Sequence, residues 1–301
     1  MRPPMRKLLA VALLAASVGA APAQEHPVVA TSADESSPAA GPSWIAWTRG
    51  STPGPVIVLS LGRVELKRGS RRPVAVGPRG VLSAVGGGDA RTVVVQQVRG
   101  GSSDLAFVDV ATGAVREPPR GVNTRAWEWR GEISGRWLVF GRVDFGRPTY
   151  RVVLHDLATG RERVLASVSG HGAYAEPGQL NGRFVVWASC PDNACTLYRL
   201  RVGDGRPLRV AARLYGGAVY AASVTRAGIV YYAESRLGCG RQVHIMRSAP
   251  GRTPRLVAAL PPGYDLRFST AINGPSGTRI LFDRMRCATK RFDIYEVVDT
   301  G

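Results

Sequence analysis

Residues 134–140 read SGRWLVF, a tight-turn signal running straight into an apolar strand, and the same wording returns at 181–187 as NGRFVVW. Outward from this pair, 44–47 WIAW, 93–96 VVVQ, 229–232 IVYY and 280–283 ILFD complete a series whose first residues step by 49, 44, 47, 45 and 51. Turn sequences also precede three of the other members, at 88–91 GDAR, 226–228 RAG and 276–279 SGTR. Glycine beside Ser, Asn or Asp supplies the positive φ that a tight turn between antiparallel strands needs. A second ruler agrees: Gly80, Gly121, Gly172, Gly217 and Gly263, each upstream of a unit's first strand, step by 41, 51, 45 and 46.

Each unit continues in the same way. A third strand follows at 105–110 LAFVDV, 151–157 RVVLHDL, 196–202 TLYRLRV and 293–298 DIYEVV, and a fourth at 163–166 RVLA and 255–260 RLVAAL. Two of the third strands run into Asp-x-x-Thr-Gly turns, Asp109 to Gly113 and Asp156 to Gly160. Four antiparallel strands take about 40 to 50 residues, so the period predicts an all-β propeller of four-stranded blades, none of which buries its faces alone. Without residues 1–23 the chain has 278 residues, about 46 for each of six units. The pattern of strand, Gly-containing turn, strand and Asp-x-x-Thr-Gly resembles the TolB-like six-bladed β-propeller family over nearly the whole of residues 24–301. The shared motifs mark turns and carry no chemistry, so the resemblance implies a fold.

The last unit stops after its third strand, at 298–301 VDTG, which would leave an unpaired edge. Residues 26–30, HPVVA, read as the missing fourth strand and would close the ring. The alternative is that residues 24–43 are a disordered leader, because 32–42 SADESSPAAGP is polar and Pro-rich. The first unit is the least regular: 53–62 PGPVIVLSLG precedes 63–67 RVELK, and its register is not fixed by the pattern.

Arg2, Arg6 and Lys7 precede the apolar run 8–20 and the small-residue site 21–23 APA, the layout of a signal peptide. Its 13 apolar residues are too few to cross about 30 Å of hydrocarbon. The expected product is one exported propeller domain, residues 24–301, secreted or periplasmic, monomeric and without a transmembrane segment. Cys190, Cys195, Cys239 and Cys287 suit an oxidising compartment. Of the three pairings open to four cysteines, the hairpin reading staples Cys190 to Cys195 across PDNA. It leaves Cys239 for Cys287, in equivalent turns of neighbouring blades. A metal site is the rival reading, but Cys-x-x-x-x-Cys is a loose spacing and no histidine pair accompanies it.

The formal charge is +18, almost all from Arg. Arginine binds phosphate and carboxylate, so an anionic polymer is one partner class the charge admits. The arginines form no run and no nucleic-acid module is present, so no specific nucleic acid is expected. Loops entering the first strands carry Arg120, Asn123, Arg125 and Trp127, then His171, Tyr174 and Glu176, then Tyr215 and Tyr220, then Tyr264, Asp265 and Arg267. In a ring these converge on one channel mouth. Arg125, Trp127, His171, Tyr174, Tyr264 and Asp265 are the candidate binding residues, since aromatics beside charged groups make a recognition surface. Catalytic patterns are weak: there is no Gly-x-Ser-x-Gly elbow, Glu128, Glu132, Glu176 and Asp265 have no spacing that singles out a pair, and His26, His155, His171 and His244 are dispersed. The sequence therefore reads as a non-catalytic binding scaffold without cofactor or metal, its partner a protein or cell-envelope component. A small-molecule or glycan-processing enzyme with its site at the mouth is the alternative.

Overall fold

The structure, a computed structural model, describes residues 23–53, 60–77, 81–146, 148–191, 194–213, 217–236 and 241–301. Within these residues strands run from β1 (His26–Val29) to β24 (Phe292–Asp299), with no α-helix. The first sheet holds β2 (Glu35–Gly41), β3 (Trp44–Pro53), β4 (Ser60–Arg68) and β5 (Val74–Val76). The second holds β6 (Leu82–Gly88), β7 (Thr92–Arg99), β8 (Ser102–Asp109) and β9 (Val115–Arg116), and one bridge, Gly62 to Ser83, joins these two sheets. The third holds β10 (Trp127–Ser134), β11 (Trp137–Asp144), β12 (Thr149–Asp156) and β13 (Arg161–Ser169). The fourth holds β14 (Tyr174–Asn181), β15 (Phe184–Cys190), β16 (Cys195–Arg201) and β17 (Leu208–Arg213). The fifth holds β18 (Gly217–Val224), β19 (Val230–Arg236), β20 (His244–Ser248) and β21 (Arg255–Ala259). In the sixth, β22 (Tyr264–Gly274), β23 (Gly277–Arg286) and β24 are completed by β1, which runs antiparallel to β24 with His26 opposite Glu296.

The hairpin turns are built as their residues dictate. Gly135 and Gly182 sit at φ 61° and Gly228 at 76°, the left-handed region where a side chain is costly. In the Asp-x-x-Thr-Gly turn, Asp109 Oδ1 accepts from Thr112 N and Oγ1, both at 2.8 Å, and Gly113 takes φ 79°. The first sheet departs from the pattern reading. Glu35–Gly41, ESSPAAG, is a fully buried first strand, although its composition reads as loop. Pro38 fits because the pairing with β3 is interrupted between Ser36 and Ala39, so no ladder hydrogen bond is asked of it. Residues 54–59, part of the unreadable stretch, lie outside the described residues.

Period-2 alternation gives every sheet two apolar faces. Trp44, Val64, Val93 and Ala106 fill the space between sheets one and two, and Val94, Phe107, Leu138 and Phe140 that between two and three. Val152, Leu154, Val185 and Trp187 lie between three and four, while Val186, Leu197, Val230 and Tyr232 lie between four and five. Tyr231, Ile245, Ile280 and Phe282 fill the space between five and six. Each fully buried side chain of this kind contributes about 1.5–3 kcal/mol.

The face between sheets six and one is bound differently. Alternation turns Leu281, Asp283, Ile294 and Trp47 toward it, all buried. Asp283 accepts from Ser37 N (3.2 Å) of β2 and from Arg267 N (2.9 Å) and Phe268 N (2.7 Å) of β22. Arg291 donates to Thr31 O (2.9 Å), and Phe292 N to Asp34 Oδ1 (3.3 Å). On the opposite face of β23, Arg284 pairs with Glu25 just before β1 of the same sheet.

Candidate functional site

The first strands β2, β6, β10, β14, β18 and β22 touch in that order, and β22 in turn touches β2. Each carries an irregularity of pairing at the same height, bracketed by Ser36/Ala39, Val85/Gly88, Trp129/Glu132, Pro177/Leu180, Tyr220/Ser223 and Leu266/Ser269. Such bulges re-aim side chains. At three of them a residue other than glycine takes positive φ: Ser37 (52°), Arg130 (47°) and Ala221 (49°). A long side chain in that conformation is held there by its surroundings at a cost of about 1–3 kcal/mol.

Arg130 shows what holds it. Its guanidinium pairs with Glu176 of the fourth sheet and lies 4.4 Å over the ring of Phe268 of the sixth, an arrangement favourable to a cation. Glu132, on the same strand, occupies the space where a Cβ on Gly87 would stand, so Gly87 is what lets that carboxyl in. Burial pushes Glu132 up to about 8, against the attraction of Arg130 and a hydrogen bond from the Gly88 backbone. Burial also pulls Arg130 down to about 10, opposed by Glu132 and Asp283, and raises Asp283. One level along, Gln179 crosses from the fourth sheet to donate to Thr270 Oγ1 and Ala271 O, both at 3.0 Å. Its oxygen accepts from Val224 N (3.0 Å) and Ala271 N (2.9 Å). The middle of the molecule is thus occupied by satisfied polar side chains from sheets three, four and six. Glu176, expected at the mouth, belongs to this interior.

The mouth residues stand in different settings. Tyr174, Tyr220 and Asp265, from consecutive sheets, stand together: Tyr220 Oη donates to Asp265 Oδ1 (2.8 Å) and lies 3.3 Å from Ser235 Oγ, and Tyr174 Oη lies 3.2 Å from Cys195 Sγ. Burial raises both phenols, and the carboxylate of Asp265 together with the Tyr174 phenol lifts Tyr220 further. Asp265 also accepts from Leu266 N (2.8 Å). Tyr264, adjacent, carries the Arg284 guanidinium 4.3 Å above its ring, and that same cation lies 3.5 Å from the ring of Tyr295. Trp127 is half-buried and meets Phe145 edge to face at 5.0 Å. Arg125 and His171 are exposed on their loops. Tyr215 lies outside the described residues. Asn123 is structural: its amide donates to Leu105 O and accepts from Leu105 N, both at 2.9 Å. Arg267 stacks over Phe292 at 5.8 Å.

Glu128 is likewise structural. It accepts from Thr124 Oγ1 (2.7 Å) and Arg142 Nε (2.9 Å), and burial raises it. Glu35 is held the same way by Thr31 and Arg49, each residue 93 positions earlier, or two sheets back. Arg142 continues to Glu162, which lies 3.3 Å from His155 Nδ1.

Cys190 and Cys195 are bonded, joining β15 to β16 as the hairpin reading expects. Cys287 is disulfide-bonded as well, and its expected partner Cys239 lies outside the described residues. Among the described residues no three His, Cys, Asp or Glu side chains are grouped to hold a metal, and no helix is long and apolar enough to cross a membrane.

No protein-family model matches the chain, and no curated protein does. Among solved structures it is similar to TolB from Acinetobacter baumannii, with a TM-score of 0.49 and 12% identity over 79% of this chain and 59% of TolB. It is similar to oligopeptidase B from Trypanosoma brucei, with a TM-score of 0.51 and 11% identity over 83% of this chain and 39% of that one. It is also similar to the β-propeller domain of the trilobed protease from Pyrococcus furiosus, with a TM-score of 0.49 and 9% identity over 88% and 95% of the two chains. The chain thus spans less than two thirds of TolB and of the oligopeptidase, and at such identities likeness concerns the fold alone. With its repeated four-stranded meanders packed face to face, the chain is a β-propeller, similar in fold to TolB.

Proposed function

We propose that the chain is an exported, single-domain, monomeric six-bladed propeller, closed by β1, that works as a binding scaffold through the loops at its channel mouth. Its partner is a protein or a cell-envelope component. The observation that carries this reading is the gathering of Tyr174, Tyr220, Tyr264 and Asp265 on one rim, above an interior already filled by Arg130, Glu132, Glu176 and Gln179. A partner therefore meets a surface of half-buried phenols and arginines, the residue types that dominate protein recognition. Export rests on the leader at 1–23, and the Cys190–Cys195 bond suits an oxidising compartment. An enzyme at the mouth would draw on Asp265 as its acid or base, yet that carboxylate is already engaged by Tyr220 and Leu266.

The test is affinity capture from a cell-envelope extract, with the wild type and with Trp127→Ala and Tyr264→Ala, at low and high salt. For the captured partner, each substitution is expected to weaken binding by about 2 kcal/mol, with little dependence on salt. Binding that ignores both substitutions and collapses as salt rises would overturn the mouth as the recognition surface.

A further inference from the structure

In an antiparallel meander the turns from first to second strand and from third to fourth emerge at one end of the sheet, away from the mouth. Arg91, Arg136 and Arg183, scattered in sequence, occupy the same place on that end: each immediately precedes the second strand of its sheet, at steps of 45 and 47 residues. Their carbonyls confirm the equivalence, accepting from Val110 N (2.8 Å), Leu157 N (2.8 Å) and Val202 N (2.6 Å), each the residue after the third strand. A fourth, Arg226, sits on the next turn, with its Cγ beside Gly182.

These turns form one connected platform. Asp89 Oδ2 accepts from Gly135 N (3.2 Å), Ser134 Oγ accepts from Gly182 N (2.9 Å), and Asn181 Nδ2 donates to Val224 O (3.1 Å). Four consecutive turns are thereby stitched side by side, and all four arginines are exposed. Arg136 has Asp156 at 3.2 Å. Among the described residues the side chains of Arg91, Arg183 and Arg226 have no acidic partner. Most acids of this end are already engaged: Asp89 and Asp109 cap their own turns, Asp299 is taken by Tyr231, Arg247 and Arg255, and exposed Asp204 lies 3.9 Å from Arg201. Further out, the third-to-fourth-strand turns add exposed Arg71, Arg72, Arg161, Arg206 and Arg252.

The geometry points to this end as a docking face for an anionic lipid surface. Guanidinium groups pair with phosphate oxygens through paired donors. The inner arc spans sheets two to five and the outer groups lie on sheets one and three to five, so the cations spread in two dimensions over one end, which matches the plane of a bilayer, whereas a linear polyanion would call for a single track. The contact is electrostatic and peripheral, and it is separate from the mouth at the opposite end.

Vesicle co-sedimentation of the full exported protein tests it, using phosphatidylglycerol–phosphatidylcholine vesicles and pure phosphatidylcholine vesicles. Wild type is expected on the anionic vesicles alone, and to be released as salt rises from about 0.05 to 0.5 M. The triple variant Arg91→Ala, Arg183→Ala, Arg226→Ala removes three cations that each contribute a factor of about five, so partitioning should fall about a hundredfold. Arg99→Ala, Arg120→Ala, Arg125→Ala removes the same charge from the mouth end and should leave partitioning within about twofold of wild type. Circular dichroism and melting of both triples check that they fold, as exposed positions allow. Equal loss in the two triples would reduce the effect to net charge and overturn the proposal. So would equal binding to both vesicle types, or no binding to either. Retention of soluble polyphosphate without binding to anionic vesicles would also overturn it, in favour of a polymer.

Discussion

Five of the faces between sheets are filled by apolar side chains, and the sixth, where the last sheet meets the first, adds directed hydrogen bonds at Asp283, Arg291 and Asp34 to its buried Trp47, Leu281 and Ile294. The residue opposite each first-strand bulge sets the sixth sheet apart from the other five. In sheets one to five it is Trp47, Val94, Phe140, Val186 and Tyr232; in sheet six it is Asp283, fully buried. Apolar packing tolerates small slips between neighbours, whereas a carboxylate that accepts from Ser37, Arg267 and Phe268 fixes two bulges at one height. Joining the ends of a repeat demands registration, and the polar contact supplies it. Arg284, the next residue on β23, carries the consequence to the mouth, because it links Glu25 of the N-terminal segment to the ring of Tyr264.

The largest expected effect is on the apolar side of this contrast. Phe140→Ala empties a site with no exposure between sheets two and three and should lower unfolding free energy by about 3–5 kcal/mol in denaturant titration. Asp283→Ala leaves three backbone donors without their acceptor and should cost about 2–4 kcal/mol. Asp283→Asn, which keeps one acceptor oxygen, should cost less than half as much. If Asp283→Ala melts like wild type, the polar face holds nothing and the contrast fails.

A smaller, pH-dependent effect is expected from the interior. Glu132 rises from its ordinary 4.5 to about 8 in the folded protein, so the fold binds this proton more tightly than the unfolded chain does. Its contribution to stability is therefore complete below about 4.5 and is lost as pH climbs to about 8. Glu132→Gln, a neutral shape-match, should equal wild type near pH 5 and exceed it in melting temperature at pH 8–9. A gap that does not widen with pH would show that the carboxyl is not held neutral by burial.

How much of this the sequence disclosed depended on which strand was read. The second strands, apolar and introduced by glycine turns, set the period, and the Asp-x-x-Thr-Gly turns fixed the third strands. The first strands were nearly silent. Strands that line the middle of a ring present small or polar groups inward, so ESSPAAG at Glu35–Gly41 has the composition of a loop while being wholly buried. For the same reason Arg130 and Glu132 were indistinguishable from surface charges, since only the bulge at Trp129/Glu132 aims them inward. The Thr, Glu and Arg that recur 93 residues apart could have been found by searching at twice the period. The arginines of the turns looked scattered because their order is visible only modulo one sheet.

Closure of the ring by β1, which pairs with β24 in the sixth sheet, is the central proposal. Peptide-level hydrogen exchange on wild type and on a variant lacking residues 24–30 measures it. The expected result is faster exchange in the variant over residues 292–299, spreading to 35–41 and 264–274, with the sheets from 82 to 213 unchanged. Unaltered exchange over 292–299 would contradict it, showing that the N-terminal strand does not hold the last sheet.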